Sequence, residues 1–149
     1  MQSARGVVFI KDQILLVYRE LDDRKFYTFP GGGMLINESE EDCVKREIFE
    51  ETGVIVKVIK KVYINERHGH ISHYYLCDYV SRSVGNGKGP EFTSKFYKDK
   101  GLYKPMLVDI QKIATIPLMP LEITEKLLDD YKRNGRELRN RVKVVKCKW

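Results

Sequence analysis

Three glutamates, Glu47, Glu50 and Glu51, are spaced i, i+3 and i+4 in the sequence. In a helix this spacing places them on one face, with Cβ atoms about 5–6 Å apart. Carboxylates this close repel one another, and Arg46, four residues before Glu50, can neutralise only part of their charge. A hard divalent cation that prefers oxygen ligands, Mg²⁺ or Mn²⁺, would neutralise the rest. On spacing alone, however, a solvated acidic helix face is the more frequent explanation.

The residues around these glutamates change that balance. From Gly32 the sequence reads GGMLINESEEDCVKREIFEETGV, a stretch of 23 residues. It resembles the Nudix box, G-x5-E-x7-R-E-U-x-E-E-x-G-U with U an aliphatic residue. The match holds at all nine defined positions, which are Gly32, Glu38, Arg46, Glu47, Ile48, Glu50, Glu51, Gly53 and Val54. The resemblance favours a metal site over a solvated face.

The resemblance implies a set of roles for the residues of the box. The family's metal ligands fall on Glu47, Glu50 and Glu51, with the backbone carbonyl of Gly32 joining them. Arg46 would orient Glu47 and Glu50, and Glu38 would hold that arginine. The implied cofactor is Mg²⁺, with Mn²⁺ as a substitute. It would screen phosphate oxygens and activate a water for attack at phosphorus.

The general base and the substrate contacts are not fixed by the box. The base is either a box glutamate or Glu91, an acid in a long Gly-, Ser- and Lys-rich segment. The glycine run after Pro30 lets the backbone approach a ligand closely. Candidate substrate contacts are Gly32, Gly33, Arg19, Arg67 and His70, with Tyr27 as a nearby aromatic residue. His68, His70 and His73 could also bind zinc, but no clear fourth ligand follows them.

The patterns of apolar and turn residues predict the elements that position these side chains. Strands are predicted at 4–10, 14–18, 26–30, 54–65, 71–80 and 105–110, and helices at 40–52 and 121–134. Residues 81–104 are predicted to form a long loop and residues 113–118 a connection. These elements predict an α/β (α+β) fold, a Nudix-like mixed β-sheet sandwich with flanking helices.

Charge divides the chain into two parts. The net charge is +6, of which +5 lies from Arg136 onward. We therefore expect a Nudix domain at 1–135 and a basic tail at 136–149, within which 142–145 is compatible with an edge strand. The tail is either a solvated segment or a contact for an anionic partner such as RNA. A third interpretation makes it a strand that pairs between the subunits of a homodimer.

Composition sets broader limits. No apolar run approaches the roughly 18 residues of a membrane helix, and the N-terminal run is too short for a secretory signal. We therefore expect a cytoplasmic protein without a membrane partner. Cys43, Cys77 and Cys147 are widely spaced and odd in number, which argues against a disulfide framework. Cys43 and Cys77 are expected in the core.

The sequence therefore predicts hydrolysis of a phosphoanhydride bond in a nucleoside diphosphate linked to another moiety. Some members of the family hydrolyse ADP-ribose, NADH or coenzyme A, and each of these groups has its own sequence motif outside the box. None of these motifs is found at its usual position in this sequence. The expected substrate is a nucleoside triphosphate or a related nucleotide, and the expected protein is a monomer or homodimer. Two alternatives stay open: a non-catalytic regulatory Nudix domain that binds nucleotide or RNA, and an enzyme that acts on RNA 5′ ends.

Overall fold

A computed structural model describes residues 1–82, 95–135 and 143–146. Within these ranges the chain forms ten strands, two α-helices and one 3₁₀ helix, Ile110–Thr115. The strands are β1 (Gln2–Ile10), β2 (Gln13–Leu21), β3 (Arg24–Thr28), β4 (Gly31–Gly33), β5 (Val54–Arg67), β6 (His70–Arg82), β7 (Lys95–Tyr97), β8 (Gly101–Asp109), β9 (Leu118–Met119) and β10 (Lys143–Lys146). The helices are α1 (Glu40–Thr52) and α2 (Leu121–Asn134).

Helix α1 has well-defined ends, and both predicted helices are confirmed. The side chain of Ser39 accepts a hydrogen bond from the Asp42 N–H at 3.1 Å, which satisfies one of the free N–H groups of the first turn. At the other end Gly53 is left-handed, with φ of 76°, and its N–H donates to the carbonyl of Phe49. These caps fix where the glutamate face begins and ends.

The sheet is mixed and carries a helix on each face. Its main order is β10-β5-β6-β1-β2-β3-β9, with β4 on β1 and β8 between β2 and β7. Neighbouring residues of one strand point to opposite faces: Val8 and Leu15 pack with α1, whereas Val7 and Ile14 pack with α2. The predicted fold class, a mixed sheet with flanking helices, is confirmed.

The loop predicted at 81–104 is wrong at most of the positions that the structure describes, although residues 98–100 do form a turn. Residues 81–82 still belong to β6, residues 95–97 form β7, and β8 begins at Gly101. Strand β8 pairs with β2 from Leu102 to Asp109. These long-range hydrogen bonds extend β8 toward its N-terminus, beyond the apolar residues from which a strand was predicted at 105–110. Residues 83–94, which include Glu91, lie outside the described part of the chain.

Two further segments differ from their predictions. The extended segment predicted at 26–30 is instead split, because β3 ends at Thr28 and the glycine run forms β4, which pairs with β1. The connection predicted at 113–118 contains the second half of the 3₁₀ helix and the start of β9. Strands β4 and β9 form because each pairs with a distant strand, β1 and β3 respectively, and local composition gives little sign of these pairs.

The tail contributes a strand to the same sheet. Residues 143–146 form β10, which pairs in parallel with residues 63–66 of β5 at the edge of the sheet. The strand thus pairs within its own chain. Residues 136–142 and 147–149, among them Cys147, lie outside the described ranges.

Two expectations from composition can be compared with the described residues. Cys43 and Cys77 are both buried and free, and both pack in the core beneath α1. Neither described helix has the length and apolar composition to cross a bilayer.

We expect Gly101→Ala to destabilise the fold more than Gly69→Ala. Both glycines are left-handed, with φ of 76° and 77°, so both substitutions carry a backbone cost. A Cβ on Gly101 would lie 1.9 Å from the Glu20 carbonyl oxygen, whereas nothing lies within 4 Å of one on Gly69. Urea denaturation should show Gly101→Ala to be less stable than Gly69→Ala by about 1–3 kcal/mol. Equal losses would contradict this account of β8.

Candidate functional site

The glycine run lies between β1 and α1. Gly32 of β4 is paired with Ala4 of β1, and a Cβ on Gly31 would lie 2.3 Å from the Ala4 carbonyl oxygen. A Cβ on Gly32 would lie 2.6 Å from the carboxylate of Glu47. The absence of side chains at these positions therefore lets the backbone approach the glutamate face.

Arg46 is the centre of a network that joins this strand to the helix. Its guanidinium makes a bidentate pair with Glu38, at 2.7 and 2.9 Å. The same group donates to Glu47 at 2.9 Å, to Glu50 at 3.2 Å and to the Gly33 carbonyl at 3.0 Å. The structure thus brings together the arginine and the three glutamates that the resemblance associates with it.

These contacts keep the pair of Arg46 and Glu38 charged. The hydrogen bond from Arg46, followed by that from the Leu35 N–H, lowers the pKa of Glu38 to about 2. The hydrogen bond to Glu38 is likewise the main cause of the raised pKa of Arg46. A fixed cation therefore lies beside Glu47 and Glu50 over the whole ordinary pH range.

Glu51 has a different environment. Its Oε1 accepts a long hydrogen bond of 3.4 Å from the Gly31 N–H. Burial raises the pKa of Glu51 to about 7, although the charge of Arg5 acts in the opposite direction. Glu51 is therefore the box carboxylate that would gain most from a neighbouring cation.

Three glutamates of α1 line a cavity of about 380 Å³, which we name the glutamate cavity; they are Glu47, Glu50 and Glu51. Four cationic residues line it as well: Arg5, Arg19, Lys95 and Lys100. Lys95 is tied to the helix, because its Nζ donates to the Glu50 carbonyl at 3.2 Å. A chamber with carboxylates and cations on its walls suits an anionic ligand that is bound together with a divalent cation.

The carboxylates in this cavity are of the type that binds magnesium. Their side chains would have to rotate before they could coordinate one ion together. Among the described residues, no group of three His, Cys, Asp or Glu side chains is already close enough to hold a metal ion. Glu47 and Glu50 each direct one oxygen to Arg46, and the Gly32 carbonyl accepts a 3.5 Å contact from the Cys43 thiol. Three carboxylates on one chamber nevertheless supply the oxygen ligands that Mg²⁺ prefers.

The structure places the predicted substrate contacts in two adjoining cavities. Gly32 and Gly33 line the glutamate cavity, and Arg67 and His70 line a second cavity of about 710 Å³. Arg19 lines both. Tyr27 lines neither of them, because it packs against the core on the α2 side.

The three histidines do not assemble into a zinc site among the described residues. His70 Nε2 lies 3.0 Å from the Ser3 hydroxyl, and His73 Nε2 lies 2.6 Å from the Gln2 side-chain oxygen. His73 Nδ1 also lies 3.3 Å from Glu40. Each of these two rings is thus committed to a different polar partner.

Several residues that line the glutamate cavity were not foreseen from the sequence. They are Arg5, Thr28, Lys95, Tyr97, Lys100 and Tyr103. Arg5 did carry a signal, because it is a lone charge within the apolar run of β1. Lys95 and Lys100 did not, because lysines are common in loops and only the pairing of β7 with β8 brings them to the glutamates.

Comparison with known proteins agrees with this geometry. Residues 1–97 match the family model described as NUDIX domain. A MutT-like protein of Streptomyces ambofaciens is 36% identical over 77 residues, which cover 50% of this chain and 49% of the relative. The chain spans about half the length of the curated relatives that it matches.

Solved structures share the fold at low sequence identity. An ADP-ribose pyrophosphatase from Streptococcus suis superimposes with a TM-score of 0.68 at 20% identity, covering 97% of this chain and 98% of that one. A structure from work on MutT of Aliivibrio salmonicida and Vibrio cholerae gives 0.65 at 17% identity, covering 87% and 98%. At these identities the likeness concerns the fold.

Glu51 predicts how stability depends on pH in the absence of metal. Its raised pKa means that the folded chain holds this proton more tightly than the unfolded chain. The stability that Glu51 contributes is therefore present below pH 4.5 and is lost as the pH rises through about 7. We compare the wild type with Glu51→Gln in the presence of a chelator. As the pH rises from about 5 to about 8, the free energy of unfolding should fall by roughly 1–3 kcal/mol more in the wild type than in Glu51→Gln.

The measurement is urea denaturation at several pH values. Glu41→Gln is the matched control, because Glu41 is an exposed acid on the same helix. It should follow the wild type. If Glu51→Gln followed the wild type as well, the carboxylate would not be buried as described.

Proposed function

The chain belongs to the Nudix family, whose model matches 97 of its 149 residues, and on that premise we propose that it is a Mg²⁺-dependent hydrolase of phosphoanhydride bonds. The substrate is a nucleoside diphosphate linked to another moiety, and the first choice is a nucleoside triphosphate or a related nucleotide. Mn²⁺ would replace Mg²⁺, since both prefer oxygen ligands.

One observation carries this proposal: the box glutamates and four cationic side chains line the same cavity. Carboxylates alone would repel a diphosphate, and cationic side chains alone would bind it without activating a nucleophile. A cavity that holds both suits a substrate with several phosphate oxygens together with divalent cations. The 380 Å³ of this cavity is sufficient for a diphosphate group.

We assign the following roles to the chain's own residues. Glu47, Glu50 and Glu51, with the Gly32 carbonyl, would hold the cation, which when bound supplies charge neutralisation and polarises water. Arg46 would keep Glu47 and Glu50 in position. Arg5, Arg19, Lys95 and Lys100 would donate hydrogen bonds to phosphate oxygens and so orient the phosphorus for attack.

The proton of the attacking water needs an acceptor. Among the box glutamates we propose Glu51, whose carboxylate a bound cation would keep ionised and therefore able to accept a proton. Glu91 is the other candidate, and we keep it as a proposal because it lies outside the described residues. Comparing the pH profiles of kcat for Glu91→Gln and the wild type separates the two.

The substrate class is supported less strongly than the reaction. The solved structures with this fold include both an ADP-ribose pyrophosphatase and a MutT, so the fold is compatible with either kind of substrate. The basic tail favours one second candidate, an enzyme that acts on RNA 5′ ends, because five excess positive charges would contact an RNA backbone. Replacing Arg136, Arg139 and Arg141 with glutamine, which leaves the residues of β10 unchanged, should then weaken RNA binding but not mononucleotide turnover.

The test is a screen of the purified chain with nucleoside triphosphates, dinucleoside polyphosphates, nucleotide sugars, ADP-ribose and capped RNA. Each substrate is measured with Mg²⁺ and with a chelator. We expect Mg²⁺-dependent release of phosphate-containing products from at least one class. Glu50→Gln should lower that rate by at least about a hundredfold and leave the circular dichroism spectrum unchanged.

Glu41→Gln is the matched control, since it removes an exposed charge from the same helix, and it should retain activity. Turnover of Glu50→Gln at the wild-type rate would show the metal assignment to be wrong. An absence of turnover with every substrate, together with nucleotide binding, would favour the regulatory alternative.

The close approach of Gly32 to Glu47 gives a second, sharper prediction. A Cβ at Gly32 would displace the Glu47 carboxylate, whereas nothing lies within 4 Å of a Cβ at Gly33. Gly32→Ala should therefore lower kcat by at least about tenfold, and Gly33→Ala should not. Both variants should unfold at similar urea concentrations, because neither glycine is left-handed. Equal kcat values for the two variants would contradict the placement of Glu47.

A further inference from the structure

The second cavity adjoins the glutamate cavity and has its own chemistry. The two share Arg5, Arg19 and Thr28, so a ligand that is bound against these residues touches both chambers. The second chamber is the larger, at about 710 Å³. We name it the arginine cavity after the four arginines that line it, Arg5, Arg19, Arg24 and Arg67.

The charge of this cavity is strongly one-sided. Of the described residues that line it, one is acidic, Glu122, and four are arginines. Among the described residues, Arg5, Arg19 and Arg24 make no salt bridge with any carboxylate. Without a direct ion pair their guanidinium groups can contact an anionic group that enters the chamber, although the charges of Arg5 and Arg19 also act on Glu51.

Aromatic rings and backbone groups hold these arginines. Arg19 lies opposite Phe26 in the sheet, and its guanidinium lies 5.2 Å from that ring and 4.2 Å from the Tyr103 ring. Arg24 lies over the same phenyl ring at 5.1 Å. Stacking occupies the faces of a guanidinium and leaves its N–H edges able to donate hydrogen bonds.

Arg19 retains an unused donor. Its Nη2 donates to the Lys100 carbonyl at 3.1 Å, but its Nε is buried without a hydrogen-bond partner among the described residues. Arg5 also has one nitrogen committed, since Nη1 donates to the Phe29 carbonyl at 2.8 Å. Two anchored arginines with donors to spare are well suited to phosphate oxygens.

We propose that the arginine cavity binds a phosphate group that the substrate carries beyond its scissile diphosphate, and that Arg24 and Arg67 select such substrates over neutral ones. This rests on the proposed function only in assigning the scissile diphosphate to the glutamate cavity. The ligand is a phosphate of either of two kinds. It is either another phosphate of the same polyphosphate chain, next to the scissile diphosphate, or a phosphate monoester on a sugar of the substrate.

Matched substrate pairs test the selectivity. ATP and adenosine 5′-tetraphosphate differ by one phosphate in the chain, and NAD⁺ and NADP⁺ differ by one phosphate monoester on a sugar. The wild type should have a kcat/KM at least about tenfold higher for the more highly phosphorylated member of one pair. The pair that shows the preference identifies the source of the phosphate. In Arg24→Gln/Arg67→Gln the preference should fall to less than about threefold.

Arg133→Gln is the control for a general loss of positive charge. Arg133 lies on α2, pairs with Asp129 at 3.5 Å and lines neither cavity. It should keep the wild-type preference. Turnover with equal kcat/KM for both members of both pairs would overturn the proposal while leaving the proposed function intact.

A binding measurement keeps the test independent of turnover. In a chelating buffer, calorimetry compares inorganic tripolyphosphate with pyrophosphate. The wild type should bind tripolyphosphate at least about tenfold more tightly, and Arg24→Gln/Arg67→Gln should lose most of that difference. This result without hydrolysis of any nucleotide would support the arginine cavity and count against the proposed function. Equal affinities in the wild type would overturn the arginine cavity itself.

Discussion

The guanidinium of Arg46 has five N–H donors, and five of its hydrogen bonds lead to Glu38, Glu47, Glu50 and the Gly33 carbonyl. One side chain thereby connects the segment before the helix, the helix face and the glycine strand. A lysine has the same charge but cannot span these directions, because its donors radiate from a single atom. The arrangement of the box thus depends on a planar cation whose hydrogen-bonding capacity is nearly fully used.

The helix that carries Arg46 is fixed to the sheet at both ends. Near its start, Glu40 accepts hydrogen bonds from Tyr75 at 2.7 Å and from Lys61 at 2.8 Å, which tie the first turn to β5 and β6. Near its end, the Glu50 carbonyl accepts from Lys95 of β7. The cationic wall of the glutamate cavity is therefore attached to the same helix as the carboxylates, and the two sides are held at a set separation.

Local sequence was sufficient for the parts of this molecule whose determinants are local. Ser39 and Gly53 give the ends of α1, and the spacing of the glutamates gives their common face. Lys95 and Lys100 could not be assigned to the cavity, because their position depends on β8 pairing with β2, about eighty residues earlier in the chain. Arg24 shows the same limit in part: it shares a strand face with Phe26, two residues later in β3, but only the tertiary fold places that face beside the second chamber.

The unused donor of Arg19 has a consequence for the ligand-free protein. Its Nε is buried and has no hydrogen-bond partner among the described residues, and a buried N–H left without an acceptor costs on the order of 1–3 kcal/mol. An anion that reached this nitrogen would remove that cost and also form a hydrogen bond. An anion bound at the wall between the two chambers would thus gain from satisfying this donor as well as from the charge of the arginine.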